Sequence, residues 1–152
     1  MDTRVPYDRG YTALLGAAVY LFASYEWNVI YLIQQFRPEF VNRYCRGAPM
    51  ASGQVGLALQ KVLEDPGVIY KNVSKAEVEA CHAEFVRLLK KRNALIHAHP
   101  MTQDDGAQIL NYQARLHRPW PDLKWTVVEV ETAIREFDAA ACSTNDLLRR
   151  LP

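Results

Sequence analysis

From Gly10 to Tyr25 the chain runs without a charge, and past a lone Glu26 the apolar character resumes through Phe36. Within this stretch Leu14, Ala18, Leu21, Tyr25, Val29 and Leu32 recur at steps of three and four, the spacing of one helix face. The uncharged run is shorter than the roughly 18 to 20 residues that cross a bilayer. Extending it would put Glu26 near mid-membrane, where a carboxylate costs about 2.5 to 3.5 kcal/mol. A long helix from about Tyr11 to Phe36 at the centre of a packed core is the cheaper solution, and no membrane contact is expected. Asp2, Arg4, Asp8 and Arg9 precede it with mixed sign, unlike the positive start of a secretory signal. No targeting segment is read there.

The remainder supports a helical partner set for that element. Arg37-Pro38 ends the first helix, because the residue before proline is driven out of the helical region. "PEFVNRYCRGAP" holds one or two further turns before Gly47 and Pro49. A helix is expected from Ser52 or Gly53 to Leu63, stopped at Asp65-Pro66-Gly67. Ser74 followed by Glu77 is a capping box that opens another helix, with Val78, Cys81, Phe85, Leu88, Leu89 and Leu95 or Ile96 facing inward. Two short extended segments, Gln108 to Leu116 and Leu123 to Trp125, flank "HRPWPD" and read as a β-hairpin or an irregular excursion. Thr126 and Glu129 then cap a last helix to about Arg150. The expected fold is all-α: an up-and-down bundle of four or five helices, with a small β-hairpin insert before the last, as a single domain over 1–152.

A length of 152 residues, 49% of them apolar, suits one such core. The net charge of +1 argues neither for nor against a nucleic-acid ligand, because a basic footprint is often local. Cys45, Cys81 and Cys142 form no C-x-x-C pair and their odd count fits buried thiols in a reducing compartment, hence the cytoplasm.

Chemistry concentrates in "KKRNALIHAHP", residues 90 to 100. Lys90, Lys91 and Arg92 beside a helix C-terminus oppose the macrodipole for about 0.3 to 1 kcal/mol each, and helix-end chemistry alone would account for them. The joint pattern Arg92-Asn93-x-x-x-His97, closing a core helix, resembles the signature of the HEPN superfamily, the higher eukaryotes and prokaryotes nucleotide-binding domains, many of which are metal-independent ribonucleases. The long first helix with its internal acid, Glu26, and the helix from Thr126 to Arg150 extend the likeness over most of the chain. The resemblance implies Arg92, Asn93 and His97 as the catalytic set, Glu26 as an acid orienting Arg92 or His97, no cofactor, and RNA or a nucleotide as ligand. A homodimer is implied too, with an antitoxin or regulatory protein as partner in a toxin-antitoxin or antiviral setting.

The residue types suit metal-free RNA cleavage: an imidazole gives and takes protons near neutral pH, and a guanidinium offers planar donors to phosphate oxygens. Arg92 and His97 point about 140° apart on a straight helix. Either the last turn loosens, or two chains pool their motifs across a dimer axis. Arg87, Lys90 and Lys91 are expected to supply a local positive field for RNA, and His99 a second proton-transfer group. His97 with His99 lacks a third ligand at recognisable spacing, so no metal is expected. Tyr25, Trp27 and Tyr31 read as core or dimer packing, and Arg118 with Trp120 as a loop that either grips a single strand or packs its tryptophan down. The rival function is a catalytically silent module of the same shape that binds a nucleotide or a protein.

Overall fold

The computed structural model describes residues 7–114 and 121–152; the Arg118–Trp120 loop lies outside them. The described residues form α1 (Arg9–Phe36), α2 (Phe40–Arg46), α3 (Ser52–Glu64), α4 (Lys75–Ile96), β1 (His99–Thr102), β2 (Gln108–Tyr112), β3 (Leu123–Trp125) and α5 (Val127–Arg150). This is the expected helical architecture with a small sheet ahead of the last helix.

Three of the helices, α1, α4 and α5, start at a side-chain cap that the sequence offers. The Asp8 carboxylate accepts from the Tyr11 amide at 2.6 Å to open α1, and Arg37, before Pro38, closes it. Glu39 takes a left-handed φ of 72° at the corner into α2. At α4 the Glu77 amide donates to Ser74 Oγ at 3.2 Å, while the Ser74 amide donates to Glu77 Oε2 at 2.7 Å. Thr126 receives the Glu129 amide at the head of α5. By length and apolarity α1 could cross a membrane; in the fold it is the central core helix. Its inward residues, among them Ala18, Phe22, Tyr25, Val29 and Ile33, are buried against the other helices, chiefly α5. Phe22, Tyr25, Phe85 and Phe137 form an aromatic cluster at the centre, with ring centroids 5.2 to 6.2 Å apart. On α4 the inward choice falls on Leu95, buried, while Ile96 is exposed.

The sheet has one strand more than expected. β1 pairs with β2 antiparallel, His99 facing Asn111 and Thr102 facing Gln108, and β2 pairs with β3, Leu110 facing Trp125. The order β1-β2-β3 leaves β1 at an edge, where Pro100 is tolerated because an edge residue need not donate on both sides. Local reading gave "HAHPMT" no strand character, since its pairing partner lies beyond the turn at Gly106. Trp125, fully buried, donates from Nε1 to Ala94 O on α4 at 3.3 Å. The Tyr11 hydroxyl donates to Trp125 O at 2.6 Å and accepts from the Leu110 amide at 3.0 Å, so the sheet is pinned to α1. Of the thiols, Cys81 is buried as expected, but Cys45 and Cys142 are exposed because they fall on the outer faces of α2 and α5.

The two ends of the α4–α5 pair are tied by charge. Glu77 Oε1 accepts from Arg150 at 2.6 Å. The Ser74 amide, the Arg150 guanidinium and the Ser74 hydroxyl together hold the Glu77 carboxyl down to about 2 from its ordinary 4.5. A carboxyl with a lower pKa in the folded chain binds fewer protons there than in the unfolded chain. Its stabilisation is therefore complete above about pH 4.5 and drains away as the pH falls toward 2. Urea midpoints measured across that window are expected to fall less steeply for Glu77→Gln than for the parent chain; parallel curves would refute the assignment.

Candidate functional site

The last turns of α4 carry the basic cluster, and the helix distributes it over two sides. Arg87 and Lys91, one turn apart, face α5. Arg87 is bonded to Glu84 at 2.7 Å and to Glu136 at 3.1 Å, and Lys91, buried, reaches Glu136 Oε2 at 2.5 Å. The bond to Glu84 and then that to Glu136 raise the Arg87 pKa against the opposing effect of burial. Two of the three cations expected to form a field for RNA are thus matched by carboxylates within the protomer. Lys90 lies between them on the exposed side.

Arg92 turns the other way, toward α1. It falls two helical turns beyond Phe85, on the same stripe, and its guanidinium sits 5.4 Å above the Phe22 ring. Nη1 donates to the neighbouring Asn93 Oδ1 at 3.0 Å, which fixes the plane of the guanidinium. Arg92 and Asn93 are both half-buried. One turn along α1 from Phe22 stands Glu26, whose Oε1 is buried and has no hydrogen-bond partner among the described residues. A buried carboxylate oxygen in that condition is costly and calls for a donor or a cation.

A residue not singled out from sequence joins them. Tyr44, on α2, packs edge-on against Trp27 at 5.6 Å. Its hydroxyl pKa is raised, first by burial, then by the Glu26 charge and by Cys45, while the Arg92 charge pulls it down. Glu26, Tyr44 and Arg92 therefore share one electrostatic neighbourhood built from α1, α2 and α4. A phenol is protonated at neutral pH in any case, so Tyr44 can donate a hydrogen bond. No periodicity or motif in "VNRYCR" signals this role; it follows only from where α2 docks.

His97 is the C-cap of α4, with φ −98° and ψ 6°, and its amide bonds back to the Asn93 and Leu95 carbonyls. The chain leaves helical geometry at this residue and the side chain is exposed. The helical bonding of α4 continues up to this cap, the His97 amide donating to Asn93 O at 3.0 Å. His99 opens β1, also exposed, opposite Asn111. It belongs to the sheet edge and not to the helix end.

Beside the site α1 presents aromatic side chains outward. Trp27 and Tyr31 lie 5.7 Å apart and are 38% and 47% exposed, and Tyr20, two turns earlier on the same side, is 72% exposed. Tyr25, by contrast, is wholly in the core. Among the described residues no group of three or more His, Cys, Asp or Glu side chains is placed to hold a metal ion.

Chemically, these residues offer a guanidinium, a phenol, a half-buried carboxylate with one buried oxygen and, on the surface, an imidazole. Compared with family models, curated proteins and solved structures, the chain gives no match, so the character of this site rests on its own side chains.

Proposed function

We propose that the protein is a HEPN-like, metal-independent endoribonuclease of the cytoplasm that works as a homodimer. The observation that supports this reading best is the Arg92 guanidinium, bonded to Asn93 and set above Phe22, at the helix end that also exposes His97. In the reaction His97 of one protomer takes the proton from a ribose 2′-hydroxyl, whose oxygen attacks the adjacent phosphorus. Arg92 side chains neutralise the phosphorane charge, and the departing 5′-oxygen receives its proton from the second imidazole of the dimer or from the imidazolium just formed. The products are a 2′,3′-cyclic phosphate and a free 5′-hydroxyl. Glu26 orients Arg92, and the Tyr44 phenol donates to a phosphate oxygen. An antitoxin-like or regulatory protein that covers this end of α4 fits the same reading.

The aromatic patch of Tyr20, Trp27 and Tyr31 is the face assigned to the twofold contact, because it adjoins Tyr44 and would bring two copies of the site together. Trp27→Glu is expected to convert a dimer to a monomer in light scattering and to abolish cleavage with it. A Trp27→Glu chain that stays dimeric removes this face from the proposal. Tyr44→Phe, which keeps the packing on Trp27, is expected to slow cleavage about tenfold, the worth of one hydrogen bond in the transition state. The direct test is incubation of purified protein with RNA in EDTA, with end-group analysis of the products. Binding of RNA or nucleotide without any scission would return the protein to a silent binding module.

A further inference from the structure

Where α1 ends, α2 folds back along it and α3 passes beside both, and the three helices leave an open groove of about 260 Å³. Two side-chain ties fix its shape. Gln34 Oε1 accepts from the Val41 amide at 2.9 Å, which holds α2 to α1. The Arg37 guanidinium donates to Asp65 Oδ2 at 2.5 Å, which holds the end of α1 to the end of α3. A groove held in this way is formed before any ligand arrives, so little is lost in ordering it.

The inner surface is apolar: Phe40, nearly buried, and Ala58, half-buried, lie over the wholly buried Ile33. The rim carries charge. Arg43 of α2 and Lys61, one turn beyond Ala58 on α3, are both exposed, and neither side chain has a hydrogen bond or ion pair among the described residues. The rim carboxylate, Glu39, accepts from Asn42 Nδ2 at 3.0 Å within its own helix turn. With Arg37 matched by Asp65, two cations are left over, in contrast to Arg87 and Lys91, which Glu136 matches. Both stand in the last turn of their helices, where the macrodipole favours a cation. That accounts for their charge, but not for their standing on opposite sides of one apolar hollow.

We propose that this groove binds a small carboxylate with a compact apolar body. Arg43 and Lys61 take up the carboxylate through charge-assisted hydrogen bonds, and the body covers Phe40 and Ala58. The volume lies just below the range of about 300 to 1,000 Å³ that suits drug-sized ligands, so the body is a single ring or a short chain. The proposal does not rest on the nuclease reading, and its test reads binding, so the two fail independently.

Benzoate is the probe, with benzamide as its uncharged counterpart and benzylamine as a cationic one. Protein NMR titrations on the full chain are expected to place the benzoate shifts on Phe40, Ala58 and Lys61. Benzamide and benzylamine are expected to bind at least about tenfold more weakly. The double variant Arg43→Gln with Lys61→Gln is expected to weaken benzoate about tenfold and to leave benzamide unchanged. Both side chains are exposed, so the fold is retained, which the unshifted remainder of the spectrum checks. Lys61→Glu, which reverses one charge, is expected to abolish the benzoate shifts in the groove. The proposal is overturned by an absence of benzoate binding or by shifts that fall on other surfaces. Benzamide binding as tightly as benzoate, or benzoate binding indifferent to the double variant, overturns it equally.

Discussion

His97→Ala is expected to lower RNA cleavage in EDTA by about 10² to 10⁴-fold, the range that a positioned acid–base group contributes. The fold should tolerate the change: the α4 cap is made by the His97 backbone amide, and the side chain is exposed. A loss of activity with unaltered thermal unfolding therefore reports chemistry. Arg92→Ala is expected to cost about 10² to 10³-fold, the loss of one electrostatic donor to the phosphorane, together with a small loss of stability from the cation above Phe22. Arg92→Lys separates the two contributions, because it retains the charge but not the planar fork that Asn93 aligns. Lysine is expected to recover stability and little of the rate. Cleavage that survives both alanine changes removes Arg92 and His97 from any mechanism.

Trp125→Ala is expected to be the most destabilising single change in the chain, at about 3 to 5 kcal/mol. The indole is fully buried, its Nε1 donates to Ala94 O, and its own carbonyl accepts from the Tyr11 hydroxyl. Truncation would open a cavity where β3 meets α4 and α1, and leave the Ala94 carbonyl without that donor. For a chain of this size the loss corresponds to a fall in Tm of about 6 to 20 °C. Trp125→Phe, which keeps most of the volume, is expected to lose a minor part of that, so the pair measures packing against hydrogen bonding in urea titrations. An alanine variant as stable as the parent would mean that the sheet is an appendage and not part of the core.

The two sets of effects meet at α4. Ala94 holds the indole two residues after Arg92 and one after Asn93, so the sheet braces the helix turn that carries the motif. Trp125 is therefore a positioning residue for the site as well as a core residue. Its alanine variant, where it still folds, should show a loosened Arg92–Asn93 arrangement.

Much of this architecture was legible along the chain. Pro38 ended α1, Ser74 with Glu77 opened α4, Thr126 opened α5, and the apolar spacing marked which faces turn inward. The motif residues Arg92, Asn93 and His97 were placed correctly at the end of a helix. Those features depend on groups a few positions apart, within one or two helical turns, and such local terms are written directly in the order of residues.

What only the tertiary structure decided are the encounters between distant segments. β1 exists because β2 comes back to pair with it, and nothing within "HAHPMT" anticipates that. Glu136 matches Arg87 and Lys91 although it lies 45 positions beyond Lys91, so charges that read as a patch on one helix are internal ion pairs in the fold. Arg92 escapes that fate because 100° per residue turns it away from Lys91 and toward Phe22, near Glu26 and Tyr44. Whether a cation serves the core or a ligand is set by which carboxylate packing brings opposite it, and packing is a property of the whole chain.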